Sequence, residues 1–243
     1  MRFTNKVCIV TGAGSGIGRA VAQRLASEGG LVAVVDVNGK DGNETVNLIT
    51  GQNGTAIFIK CDVGVEDEIK QAVSKTTDKW SRIDVLINNA SMMTFKKIVD
   101  LSSEEWDLVM RVNIRSVFLF CKYALPHMNG GSVVNISSVH AHETTANVIP
   151  YASSKGAMEA FVRGASQEYP STQARFNCVA PGAVDTPMLW NNPNVKSGVE
   201  KPTGAIARPE ELAAAICFLA SDEASFINGT TLVADGGVTT RLV

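Results

Sequence analysis

The 243-residue chain is 45% apolar and 19% charged, a globular rather than disordered balance, and is long enough for one large domain with its own core. Its net charge of −2 gives no general pull toward nucleic acid or anionic lipid, and no basic run interleaved with aromatic residues occurs. No apolar stretch reaches the length of a membrane span, and a strand-like run from Lys6 leaves no room ahead of it for a signal peptide.

That first strand, Lys6–Thr11, runs directly into Gly12-Ala-Gly-Ser-Gly-Ile-Gly18 and a helical pattern over 16–28. Glycines at such a junction let backbone approach a ligand closely, and the helix N-terminus offers free N–H groups to a phosphate. The spacing is G-x-x-x-G-x-G through Gly12, Gly16 and Gly18, because Ile17 and Arg19 stand where G-x-G-x-x-G needs its last glycine. The strand LVAVVD ends at Asp36, whose carboxylate can accept hydrogen bonds from an adenosine ribose and repels a 2′-phosphate. Ser15 and Val37 bring no positive charge beside it, and Lys40 alone favours phosphate. NAD is therefore expected over NADP.

A helix over 41–50, the strand AIFIK ending at Lys60, a helix over 65–79 and the strand IDVLIN ending at Asn88 follow. Ser102-Ser-Glu-Glu105 is a capping box opening a long helix over 103–127, in whose middle Asn113 is an unfavourable residue. The strand SVVNIS ends at Ser137 and leads past Ser138, His140 and His142 to Tyr151 and Lys155, at the start of a helix over 151–168. Four residues apart, Tyr151 and Lys155 share one helix face. A nearby ammonium favours a phenolate over the ordinary tyrosine pKa of about 10. Tyr151 can then act as general acid/base while Ser138 orients the substrate oxygen. A hydrolase using Ser138 with a histidine base would want a G-x-S-x-G elbow, which is missing.

The strand ARFNCVA ends at Ala180, and 187–205 is too polar and broken for an element, so it reads as a lid loop. A helix over 209–220 opens with Pro209, and the strand TTLVAD ends at Asp235. Apolar strands alternating this regularly with helices imply a doubly wound α/β fold with a parallel sheet. The five cysteines, Cys8, Cys61, Cys121, Cys178 and Cys217, lie in or beside apolar runs without metal spacing. Buried thiols, no metal and a reducing, cytoplasmic location are expected.

The glycine loop, Asp62-Val63, Asn88-Asn89-Ala90, Asn113, Ser138, Tyr151-x-x-x-Lys155 and Pro181-Gly182 together resemble the short-chain dehydrogenase/reductase family over essentially the whole chain. The resemblance implies a single Rossmann-like, doubly wound domain over 1–243, its seven-stranded parallel sheet ordered 3-2-1-4-5-6-7 and flanked by helices. It implies nicotinamide-dependent oxidation of an alcohol or reduction of a carbonyl by a catalytic group of Asn113, Ser138, Tyr151 and Lys155. Lys155 would also bond the nicotinamide ribose, and Asn113 would mark a kink holding a water that links Lys155 to solvent. Cofactor contacts are implied at Gly12, Ser15, Gly16, Ile17, Gly18, Asp36, Asp62, Val63, Asn89, Ala90, Tyr151, Lys155, Pro181, Gly182, Val184 and Thr186. A homotetramer is implied as well. The sequence departs from the family pattern at Ser91, where glycine is usual, and around Gln173-Ala174.

Ser138, His140, His142, Tyr151, Met188 and Trp190 are the candidate substrate contacts, with the triplet Met188-Leu189-Trp190 either walling the pocket or anchoring its loop. With Met93 and Asn191 these give a mixed polar and apolar lining. It suits a small secondary alcohol, polyol or sugar, or the corresponding ketone, better than a steroid. The alternatives are a 3-oxoacyl thioester (acyl carrier protein) reductase and a non-catalytic NAD-binding regulator.

Overall fold

Seven short strands lie side by side in one wholly parallel sheet in a computed structural model that describes residues 1–199, 201–202 and 204–240. They are β1 (Val7–Thr11), β2 (Leu31–Asp36), β3 (Thr55–Lys60), β4 (Val85–Asn88), β5 (Gly131–Ile136), β6 (Ala174–Pro181) and β7 (Thr231–Ala234). The order is β3-β2-β1-β4-β5-β6-β7, as the family resemblance implies. β1, β4, β5 and β6 are buried along their whole length, which is why their sequences are apolar on both faces. The chain winds outward from β1 to β3, then returns to β4 on the other side of β1. Connections leaving β1 and β4 in opposite directions open a crevice at the carboxyl ends of these two strands.

The helices are α1 (Gly16–Ser27), α2 (Gly39–Thr50), α3 (Glu66–Trp80), α4 (Ser103–Met110), α5 (Ser116–Ala124), α6 (Ile149–Glu168), α7 (Pro187–Trp190), α8 (Pro193–Lys196) and α9 (Pro209–Ala220). Alternate strand residues face two separate cores. Val10, Val34, Ile87 and Val134 pack against Leu25 of α1 and Ile216 of α9. Ile9, Val35, Leu86 and Val133 pack against Phe120 of α5 and Met158 of α6. All five cysteines are buried free thiols. No helix among the described residues is long and apolar enough to cross a membrane.

Two segments differ from expectation. The helix expected over 103–127 begins at its capping box, with Ser102 and Glu105 bonded reciprocally, but a π-turn at Arg111–Arg115 divides it into α4 and α5. Asn113 lies in that turn with its amide drawn toward Met92 and Ser154, and the Ser116 N–H reaches back five residues to the Arg111 carbonyl. The lid over 187–205 is not without elements, because α7 and α8 each form one turn. Thr186 and Asn192 cap them, and Pro187 and Pro193 preset the first helical residue. The base of the lid is clasped where Val184 bridges Ala207, with Asp185 N–H donating to Ala207 O at 2.8 Å and Ala207 N–H to Ala183 O at 3.0 Å.

Leu86 sits at the middle of the sheet with no exposed surface. Leu86→Ala is expected to cost about 2–5 kcal/mol of stability through lost burial and a residual cavity. Urea denaturation should show this as a lower midpoint at unchanged slope. A loss below about 1 kcal/mol would be incompatible with close packing around this side chain.

Candidate active site

A cavity of about 890 Å³ occupies the crevice, running from Asp36 at one end to Ser138 and Tyr151 at the other. Its floor depends on a tie between the loops that follow β1 and β4. Thr11 Oγ1 accepts the backbone N–H groups of Asn89 and Ala90, both at 3.0 Å. Asn89 Nδ2 donates back to the carbonyls of Thr11 (2.9 Å) and Gly12 (3.1 Å). The closeness leaves no room for side chains. A Cβ on Gly12, whose φ is +62°, would lie 2.9 Å from Ala90 Cα, and one on Gly18 would lie 2.2 Å from the Gly12 carbonyl oxygen. Gly18 thus supports the loop from beneath, while Gly12, Ser15, Gly16 and Ile17 line the cavity. The Ser15 side chain makes no cap bond, so the first N–H groups of α1 remain available to an anion.

Asp36 is fixed at the cavity edge. Its Oδ2 accepts Gly14 N–H at 2.8 Å and its Oδ1 accepts Asn38 N–H at 2.9 Å. Arg19 is engaged elsewhere, donating to the Gly14 carbonyl and to Glu44, each at 2.9 Å. Val37, Asp62, Val63, Asn89 and Ala90 continue the wall, as do Pro181, Gly182, Val184 and Thr186 beyond β6.

At the far end Tyr151 lies in the first turn of α6, Lys155 one turn later, and Ser138 two residues past β5. Lys155 is 1% exposed, donates to the Ile136 carbonyl at 2.6 Å, and holds its ammonium 5.3 Å from the Tyr151 ring centre. Burial pushes the Tyr151 phenol up to about 12, and its hydrogen bond with Ser138 offsets only part of that. Burial also brings Lys155 down to about 8, opposed by nearby Cys178. The expected net lowering of Tyr151 by its ammonium neighbour is therefore not found, because burial outweighs the one opposing contribution, the bond with Ser138. Burial thus disfavours the charged form of both groups, the phenolate of Tyr151 and the ammonium of Lys155.

Asn113 is buried and is not among the described residues that line the cavity. Its Oδ1 accepts Met92 N–H and its Nδ2 donates to the Met92 carbonyl, both at 2.9 Å, with a further bond to Ser154 Oγ at 3.0 Å. Ser154 Oγ donates in turn to the Tyr151 carbonyl at 2.7 Å. Asn113 thus pins the loop after β4 onto α6, and its side chain is fully engaged in doing so. Ser154 was not foreseen, although its place three residues after Tyr151 puts it on the same helix face.

The substrate end assembles only part of the expected set. His140 lines the cavity edge-on to Tyr151, with ring centres 5.6 Å apart and Nδ1 2.9 Å from Thr144 Oγ1. Met93, Met188 and Leu189 also line it. His142 and Trp190 are not among its described lining. His142 Nε2 lies 3.2 Å from Glu159 Oε1, and the Trp190 indole donates to Asp185 Oδ1 at 2.6 Å, anchoring the lid to its own base. Asn191 likewise lies outside that lining, accepting from Lys196 Nζ at 3.0 Å. Ser91 lies at the wall with its hydroxyl buried and without a hydrogen-bond partner among the described residues. Val238 and Thr239 complete the wall from a turn that the Asp235 carboxylate holds by accepting from Gly237 N–H and from Thr239 N–H and Oγ1–H. Asp235-Gly236-Gly237 after the last strand marks a turn there, although not its place in the cavity wall. Tyr123 and Tyr169 stand outside the described lining, Tyr123 donating to Glu66 at 2.8 Å, which leaves Tyr151 as its tyrosine.

A family model described as enoyl-(acyl carrier protein) reductase matches residues 12–239. The chain is 37% identical over 246 aligned positions to a cyclopentanol dehydrogenase of Comamonas sp. (strain NCIMB 9872), covering 98% of each. It is 36% identical over 244 positions to the 3-oxoacyl-[acyl-carrier-protein] reductase of Thermotoga maritima, covering 98% of this chain and 99% of that one. The crystal structure of a short chain dehydrogenase from Burkholderia cenocepacia J2315 in complex with NADP superimposes with a TM-score of 0.91 at 28% identity, covering 98% of this chain and 100% of that one. With the strand order and the tyrosine–lysine cavity, these near-full-length matches establish that the chain belongs to the short-chain dehydrogenase/reductase family, as an NAD(P)-dependent oxidoreductase acting on CH–OH groups of small alcohols and on the corresponding ketones.

Proposed function

We propose that this protein is a single-domain NAD-dependent dehydrogenase that interconverts a small secondary alcohol, polyol or sugar with its ketone, using Tyr151 as general acid/base. The observation that carries this reading is one cavity bounded by an unopposed carboxylate, Asp36, at one end and the Tyr151–Ser138–Lys155 group at the other. The residues fit a dinucleotide. The side-chain-free cradle at Gly12 and Gly18, the uncapped N-terminus of α1 and Asp36 would hold its phosphates and adenosine ribose, and Lys155 its nicotinamide ribose. Bound NAD supplies the hydride acceptor for oxidation, and its reduced form the donor for reduction. Tyr151 accepts or returns the proton on the substrate oxygen, Ser138 donates a hydrogen bond to that oxygen, and Asn113 keeps α6 in place through Ser154.

Asp36 decides the nucleotide. Two unit charges 4 Å apart repel by about 1 kcal/mol in water and about 4 kcal/mol near a protein surface, so a 2′-phosphate beside this carboxylate is disfavoured by roughly tenfold or more. The Burkholderia cenocepacia protein's NADP is that protein's own property; here no described guanidinium or ammonium answers Asp36 in the cavity wall at that end. The likeness to cyclopentanol dehydrogenase supports a compact secondary alcohol, and so does a lining that mixes Met93, Met188 and Leu189 with His140 and Thr144. Likeness to the 3-oxoacyl reductase supports a second reading as an acyl-thioester reductase. Initial rates on alcohols, polyols and ketones against a 3-oxoacyl thioester, each with NAD(H) and NADP(H), discriminate the two. A non-catalytic regulator would need none of Ser138, Tyr151 and Lys155, which stand assembled here. Buried free thiols support the cytoplasm as its location. The exposed apolar residues Phe118 on α5, Phe226 and the edge-strand pair Leu232 and Val233 support burial between subunits of a homotetramer.

Tyr151→Phe is expected to reduce turnover by about 10²–10⁴-fold or more while leaving NADH binding, read by fluorescence, unchanged. Near-normal turnover by the Tyr151→Phe variant would remove the tyrosine from the mechanism. Asp36→Ser should narrow the preference for NAD, and Val37→Arg added to it should turn the preference toward NADP. A wild-type enzyme faster with NADPH than with NADH at equal concentration would overturn the assignment. Light scattering at micromolar concentration should return four times the chain mass; a monomer would contradict the assembly.

A further inference from the structure

Of two buried carboxylates outside the reaction scheme, Asp84 is bonded to the Val7 N–H and to Arg82, whereas Glu159 has no arginine or lysine partner among the described residues. Glu159 lies on α6 one turn beyond Lys155 and two beyond Tyr151, and it is 5% exposed. Its Oε1 accepts from Ser137 Oγ at 2.8 Å and faces His142 Nε2 at 3.2 Å. Among the described residues no lysine or arginine pairs with it. The charged and titratable groups around it are Lys155 and Arg163 on its own helix, His142, and Cys178 on β6. A carboxylate held this far from water is unfavourable unless its partners satisfy it, so these two contacts are not incidental to its position.

The two partners bracket the reacting segment. Ser137 immediately precedes Ser138, and His142 follows the 3₁₀ turn Val139–Ala141 that carries His140. Ser138 and His140 lie between them, one bonded to the Tyr151 hydroxyl and the other edge-on to its ring. Ser137 Oγ also reaches the Lys155 carbonyl of the same helix at a longer 3.4 Å, and further ties within the segment are local: His140 N–H to Ser138 Oγ at 3.2 Å, and Ala141 and His142 N–H to the carbonyls of Ser138 and Val139. The backbone of Ser137 is held to β6 through Val179. Glu159 Oε1 therefore meets both ends of the turn from the helix that presents Tyr151 and Lys155.

We propose that Glu159 is a positioning residue that acts through Ser137 and His142 to hold Ser138 and His140 in register with Tyr151. The inference rests on the roles given above to Ser138 and Tyr151. Displacing a group that must meet the substrate oxygen by a fraction of an ångström to 1 Å is enough to slow a reaction substantially. Among the described residues nothing in the cradle at Gly12 and Asp36 contacts Glu159, so NADH affinity, dominated by that end, should change far less than the rate.

The test is a mutant cycle read as kcat/KM on the best substrate, with NADH binding measured alongside. Glu159→Leu should lower kcat/KM by roughly 10- to 100-fold with a far smaller change in NADH affinity. Glu159→Gln keeps an acceptor for Ser137 and a polar partner for His142, and should restore most of the rate. In a Ser138→Ala background, Glu159→Leu should add little, because its effect passes through Ser138. If Ser138→Ala alone leaves kcat/KM unchanged, the assignment of the reacting group fails. If Ser138→Ala is slow but Glu159→Leu is harmless, or multiplies its effect independently, Glu159 is structural only and the proposal is overturned. Should Glu159→Leu not fold, His142→Ala at the half-exposed end of the pair takes its place. An expected loss of about threefold or more supports the bracket, and an unchanged kcat/KM in that folded variant overturns it.

Discussion

The contact on which the rest of the site depends is the one between Thr11, Gly12 and Asn89. β1 and β4 are neighbours whose following loops leave in opposite directions, and a crevice between diverging loops stays shaped only if something spans it. Four hydrogen bonds from a single threonine–asparagine pair do so, and the absence of side chains at Gly12 and Gly18 lets the two backbones approach closely enough to make them. Asp36, the N-terminus of α1 and the loop after β4 are then held in one frame. The last of these is also held by Asn113, whose three bonds to Met92 and Ser154 carry the frame across to α6. A mechanical path therefore runs from the glycine loop to Tyr151 through two asparagine side chains.

At the end of that path electrostatics replaces geometry as the controlling factor. Withdrawing Tyr151 and Lys155 from water raises one and lowers the other, so burial works against charge on both. A phenolate in this site is consequently not a resting state produced by the lysine alone. It depends on the hydrogen bonds that Ser138 and a substrate oxygen supply to the charged form. Ser138 matters here as a donor to the charged form, and its placement is as much a part of the acid/base chemistry as the tyrosine itself.

The strands were readable because a parallel strand covered on both faces needs an unbroken apolar run, and the glycine loop because steric exclusion is written directly as missing side chains. The tyrosine–lysine pair was readable because helical periodicity alone brings residues four apart together. Contacts between distant segments were not. The π-turn at Arg111–Arg115 has its cause in Met92, far back in the chain, so Asn113 signalled an anomaly without revealing its form. The one-turn helices of the lid lack the length to show periodicity, although Thr186-Pro187 and Asn192-Pro193 are cap-and-proline pairs that local chemistry could have read. His142 looked like a substrate contact because its partner is on another element. Yet Tyr151, Lys155 and Glu159 form one stripe of α6, and a buried acid on that stripe required a partner from the preceding loop.

The two halves of the cavity are consequently built by different means. The dinucleotide half rests on glycines whose missing side chains let backbone pass closely, so a side chain at Gly12 or Gly18 would collide with a neighbouring segment. The substrate half is made of side chains on loops that are stapled at a few points: Trp190 on Asp185 and the bridge of Val184 with Ala207 for the lid, and Asp235 for the C-terminal turn. Between such staples, Met188, Leu189, Thr144 and Val238 can be exchanged without moving the groups that handle the hydride and the proton. A family that shares one cofactor chemistry across unlike alcohols needs this division, since specificity can then change by loop substitution while the sheet edge and its asparagine ties stay as they are.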